Sequence, residues 1–156
     1  MTLLSAFDGD VEIPPTVRAA VTTEPAQTNL DRVLDDDTSD WLQSTGPIGQ
    51  RSLNHALDIL DETEQHGDVR LIADVLRAAD RDQPIGITAD DWRVRTVCKG
   101  FGATVTGPIG VIVRAVENGL PASDGRDLVR RVDGHGLHMT GELRDRADEL
   151  LADAAS

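Results

Sequence analysis

Tyrosine is absent from this 156-residue chain, two phenylalanines and two tryptophans are its only large aromatics, and lysine and cysteine occur once each, as Lys99 and Cys98. A single cysteine excludes an internal disulfide and a cysteine-rich zinc site, and its simplest setting is a reducing cytoplasm. No apolar run approaches the ~20 residues needed to cross a bilayer. The opening MTLLSAFDGD lacks the basic start and long apolar centre of a signal peptide. These absences point to a soluble, cytoplasmic protein with no membrane partner. With so few aromatics and so little basic charge around them, Trp41 and Trp92 read as packing residues rather than base-stacking platforms. The four histidines are scattered, and His135 with His138 offers too few donors for zinc.

Charge of one sign is also scarce. Twenty-eight acidic residues stand against 15 basic ones, for a formal net charge of -13. Arginine supplies nearly all of the positive charge and aspartate most of the negative, a pattern that resembles proteins of salt-loving archaea. In near-molar salt the Debye length shrinks to about 3 Å, so net charge says little about partners. Such salt also weakens binding that depends on counterion release from phosphates. Any nucleic-acid chemistry must then lean on coordination and shape.

The length fits one domain, 1–156, able to bury a core without staples. Val11 to Ile13 reads as a short strand, and Pro14-Pro15 opens a helix to about residue 22, since proline's missing N–H has no partner in a first helical turn. Residues 23–50 form a variable region with little regular structure, holding a short helix at 28–34, an acidic loop and an extended segment near Trp41. Leu53, Ala56, Leu57 and Leu60 mark one helical face, ended by Gly67, and Val69, Ile72, Ala73 and Leu76 mark a second over 68–79. A strand follows at 84–88, then a helix carrying Val94, Val97, Cys98 and Phe101, and a strand at 103–106. Ile109, Ile112, Val113 and Val116 stripe the next helix. The remainder reads as a helix at 124–132, a short strand at 136–139, and a helix at 141–153 with Leu143, Ala147, Leu150 and Leu151 on one side. Short strands alternating with helices predict an α/β fold, a three-layer sandwich with a mainly parallel central sheet. Sites in such sheets form at the carboxyl ends of the strands. Asp90 and Asp91 sit just past strand 84–88.

Taken together, HGDVRLIADVLRAA, IGITADDWRVR and GFGATVTGPIGVIVRAVENGLP resemble the PIN-domain family, in the branch with a strand ending in Asp-Asp and a downstream glycine pattern before a helix. GDVEIPPTVRAAV near the start is similar to the family's turn into a helix. The resemblance implies a metal-dependent ribonuclease using Mg2+ or Mn2+, acting on single-stranded RNA, often as a toxin held by an antitoxin protein, with homodimers possible in the family. Magnesium takes six oxygens and is commonly held by one or two carboxylates, waters and substrate phosphate, and such ions generate hydroxide and neutralise charge on a phosphodiester. Carried over residue by residue, the resemblance assigns Asp68, Asp90 and Asp91 as catalytic and metal-binding positions and Arg95, Gly107 and Gly110 as substrate-binding ones. Pro108 replaces the usual threonine. The family's first strand, with its first metal aspartate, falls ahead of residue 1, and Ala20 stands where relatives carry a glutamate.

Three readings stay open at this level. A complete nuclease needs a further strand encoded ahead of Met1. A degenerate relative would be a non-catalytic module binding RNA or a protein. Another doubly wound fold of receiver type would need a phosphate-binding lysine, for which Lys99 in mid-helix is poorly placed. Local chemistry supplies a bland account as well: Thr88 and Asp91 fit a capping box, acids in a first turn interact favourably with the helix dipole, and the same holds for Asp68.

Overall fold

The computed structural model of the protein describes residues 3, 7, 9–35 and 42–156. Trp41 and most of the acidic loop lie outside them. The described residues fall into two compact units, one comprising Gly9–Ile87 and Asp91–Val105, the other comprising Thr88–Asp90 and Thr106–Ser156 along with the described start of the chain.

The larger unit begins with β1 (Val11–Ile13), α1 (Pro15–Ala20) and α2 (Ala26–Leu34), followed by β2 (Leu42–Ser44). β1 and β2 pair in parallel, Val11 opposite Leu42 and Ile13 opposite Ser44. The short helix expected at 28–34 is α2, longer by two residues at its start, and the extended segment expected near Trp41 continues as the paired strand β2. α3 (Gln50–Leu60) and α4 (Gly67–Asp80) pack their apolar stripes together, burying Leu53, Ala56 and Leu60 against Val69, Ile72, Ala73 and Leu76. Gly67 does not end α3, as its position after the stripe suggested. Asp61 ends it in the left-handed conformation, φ 54°, and its N–H is bonded to the carbonyls of Asp58 and Leu57. Gly67 instead starts α4, where a Cβ would come within 3.2 Å of Val17 Cγ2. β3 (Gly86–Thr88), α5 (Trp92–Gly100) and β4 (Thr104–Thr106) follow. The Thr104 N–H donates to the Ile85 carbonyl and the Ala89 N–H to the Thr106 carbonyl, both at 3.1 Å, so β3 and β4 also run parallel.

The smaller unit is built on α6 (Pro108–Glu117), α7 (Ala122–Val132) and α8 (Gly141–Ala154). Ile112, Val116, Val129, Met139, Ala147 and Leu151 form its core. Gly125 lets α7 approach α6 and α8, since a Cβ there would lie 2.8 Å from Val116 Cγ2 and 3.1 Å from Leu151 Cδ2. Between α7 and α8 the expected strand at 136–139 is replaced by a π-helical turn, Asp133–Leu137. His135 and Gly136 leave regular geometry there, Gly136 at φ +119°, a conformation that glycine adopts at no steric cost, and the Asp133 side chain ties the turn. Its carboxylate accepts from the Met139 N–H at 2.7 Å and from Arg144 Nε at 2.8 Å.

The architecture is α/β with small parallel sheets. Among the described residues the four strands form two separate two-stranded sheets, so the single central sheet of a three-layer sandwich is not seen. Leu143 is 55% exposed, and the core side of α8 is Ala147 and Leu151. Among the described residues no helix is long and apolar enough to cross a membrane.

Candidate functional site

The Asp-Asp pair divides between two tasks. Asp91 is the N-cap of α5: its backbone is extended, φ -63° and ψ 126°, and its Oδ1 accepts from the Val94 N–H at 2.9 Å. The cap is therefore Asp91 itself and not Thr88, the last residue of β3. Asp90 precedes the cap, is exposed, and lines a cavity of about 340 Å³ within the smaller unit. Leu128, Val132 and Leu137 supply its aliphatic lining, and Arg131 and His135 contribute the other polar side chains.

Asp68 lies in the first turn of α4. Its carboxylate field and burial both act on Cys98, burial more strongly, and the thiol is pushed up to about 11. Cys98 is fully buried in the α5 stripe, as the periodicity predicts. An unfolded chain sheds this proton at lower pH than the folded one, so the raised value favours folding less as pH climbs from about 9 towards 11.

Arg95 is half-buried on α5, and its N–H donates to the Asp91 carbonyl at 3.0 Å. Gly107 is the N-cap of α6 with extended backbone, φ -114° and ψ -179°. Gly110 has a packing reason for lacking a side chain, because a Cβ there would fall on the Thr106 hydroxyl. Trp92 is not packed: it is 77% exposed at the first position of α5, beside the capping aspartate.

Among the described residues no group of three or more His, Cys, Asp or Glu side chains is placed to hold a metal ion, and one oxygen of Asp91 is committed to its helix. A resident Mg2+ does without a full protein cage, but it needs carboxylates converging on it. The carboxylate oxygens at hand past β3 are those of Asp90, which is exposed, and the second oxygen of Asp91.

Sequence reasoning missed Arg131 and His135. They stand four apart, but His135 lies past the end of α7 and off helical geometry, φ -100° and ψ 17°, so no helical spacing paired them. It also missed the most buried polar group. Arg70 and Asp74 are 8% and 4% exposed on α4, joined at 3.0 Å, with Arg70 Nη2 donating to Thr45 Oγ1 at 3.1 Å and Arg77 lying 3.0 Å from the other Asp74 oxygen.

The chain matches no curated protein and no solved structure. A family model described as a PIN domain matches residues 1–152, nearly the whole length. With the Asp-Asp segment just past a parallel strand and that match spanning the fold, the chain belongs to the PIN-domain family.

Proposed function

We propose that the protein acts on single-stranded RNA as a ribonuclease, with Asp90 as the carboxylate nearest the chemistry and Asp68 and Asp91 as further acidic positions. The observation that carries this reading is the setting of Asp90: past the end of β3, in a cavity that also presents Arg131 and His135. Mg2+ or Mn2+ is the cofactor to test. A toxin held by an antitoxin protein in the cytoplasm is the biological role proposed with it, and Arg95 is proposed as a substrate contact.

The test is cleavage of a single-stranded RNA by purified protein in molar KCl with added Mn2+. Cleavage is expected, and Asp90→Asn is expected to abolish it. Unchanged cleavage by Asp90→Asn overturns the role given to that residue.

A second reading, a non-catalytic PIN-like module binding RNA or a protein, is favoured by a specific observation: among the described residues no group of three or more ligand side chains is placed to hold a metal, and one oxygen of Asp91 serves its helix. It predicts RNA binding without cleavage and no rise in melting temperature with Mn2+, since an ion that does not bind the native state cannot stabilise it.

A further inference from the structure

Three arginines lie on α7, and their surroundings differ. Arg130 Nη1 is 2.8 Å from Asp127 and Arg126 Nε is 3.7 Å from Asp148, so each has a carboxylate partner. Arg131 has no ion pair or side-chain hydrogen bond among the described residues, and it lines the cavity that holds Asp90. Its two neighbours on the helix are each tied to a carboxylate, so of the three only Arg131 keeps its guanidinium uncommitted at the cavity. His135, four residues on, lines the same cavity from the π-helical turn. That turn is held by Asp133 through the Met139 N–H and Arg144. The Met139 N–H, Arg144 and, more weakly, His138 hold the Asp133 carboxyl below its ordinary range, so it stays charged and the turn stays tied at neutral pH.

The lining has two chemical parts. Leu128, Val132 and Leu137 make an aliphatic surface, and Arg131 and His135 are hydrogen-bond donors, one of them a permanent cation. At about 340 Å³ the cavity is at the lower end of the ~300–1,000 Å³ typical of small-molecule sites. It has room for one nucleotide, not for a helical segment. A guanidinium presents a planar fork that matches phosphate oxygens, and an aliphatic surface accepts the face of a base.

We propose that this cavity is a nucleotide subsite for single-stranded RNA, with the phosphate on Arg131 and His135, the base against Leu128, Val132 and Leu137, and the chain passing on towards Asp90. It rests on the RNA-directed reading above, and specifies where a nucleotide adjoining the reacting one is held. The carboxylate of Asp90 repels phosphate, so the anion sits at the arginine end of the cavity. Arg131 and His135 are binding residues, with no part in bond breaking.

The test is fluorescence anisotropy of a labelled single-stranded oligoribonucleotide in EDTA, over a series of KCl concentrations, so that no cleavage contributes. Arg131→Ala is expected to weaken binding at least about fivefold, as loss of a charge-assisted hydrogen bond does, and to lower the slope of log affinity against log salt by about one. His135→Ala is expected to weaken it less, and Arg130→Ala to leave it unchanged. An abasic nucleotide in the oligonucleotide is expected to weaken wild-type binding and to lose less when Leu128→Ala is introduced, which separates base contact from phosphate contact. Unfolding midpoints of the variants confirm that the exposed substitutions leave the fold intact. Wild-type affinity and salt slope in Arg131→Ala overturn the subsite, even if the protein cleaves RNA. Binding that depends on Arg131 in a protein that never cleaves upholds the subsite and overturns the ribonuclease. No binding of the oligoribonucleotide by the wild type overturns the subsite outright.

Discussion

Asp91 holds the Val94 N–H at 2.9 Å, and a first-turn N–H left without an acceptor costs stability whether or not the residue has a chemical role. The two roles separate through the choice of substitution. Asp91→Ala removes the acceptor and is expected to destabilise the protein by about 1 kcal/mol, within the roughly 0.5–2 kcal/mol of capping losses. Asp91→Asn keeps an acceptor oxygen and is expected to stay within a few tenths of a kcal/mol of wild type, since asparagine and aspartate cap about equally well. Denaturant unfolding in molar KCl measures both. Should Asp91→Asn retain full stability and lose RNA cleavage, the residue serves the site as well as the helix. Equal stability loss in both variants would show that charge, and not the hydrogen bond, stabilises the start of α5. Asp90 and Asp91 were legible as a pair in the sequence, but their division of labour was not, because it depends on where β3 stops and α5 starts. A capping box written as Thr88 to Asp91 is off by three residues.

At the scale of elements, the helices were legible and the connections between them were not. Apolar residues at i, i+3, i+4 and i+7 located α3, α4, α5 and α6, because burying one face is what stabilises each of them. Strands of three residues carry too few positions for an alternating pattern, so β1, β3 and β4 are placed by their neighbours rather than by themselves, and β2 is legible only as an extended segment near Trp41. The strand expected at 136–139 is instead part of a kinked turn, since His135 and Gly136 leave regular geometry and the stabilising bonds come from the Asp133 side chain, which no apolar pattern reveals. Polar pairs inside a helix are equally silent in an apolar pattern. Arg70 and Asp74 look like an ordinary i, i+4 surface pair, yet both are buried. Asp74→Ala would strand the Arg70 guanidinium without its carboxylate, and the expected loss is about 3–5 kcal/mol. The paired replacement of Arg70→Met with Asp74→Leu is expected to recover most of that loss, because well-packed apolar groups avoid the desolvation of both charges. Urea unfolding of the single and double variants decides it. A loss below about 1 kcal/mol for Asp74→Ala would place the pair among exposed ion pairs, which contribute little.

For the molecule as a whole, the dominant unexplained quantity is its charge. The net value of -13 is carried by a chain with one lysine and a sequence pI near 4.5, and self-repulsion of that size opposes the compact state. At about 0.1 M ionic strength charges interact over a Debye length of ~10 Å, and at 1 M over ~3 Å. Screening therefore relieves repulsion between like charges on the surface, while the buried Arg70 and Asp74 pair, largely shielded from ions, is little affected. The melting temperature is expected to rise as KCl goes from 0.1 to 1 M, with NaCl giving the same curve at equal ionic strength if screening is the cause. A rise confined to one cation would point to specific binding at carboxylates, because only a bound ion stabilises by mass action in that selective way. A flat or falling melting temperature would mean that the acidic surface does not strain the fold, and the compositional likeness to proteins of salt-loving archaea would lose its physical basis.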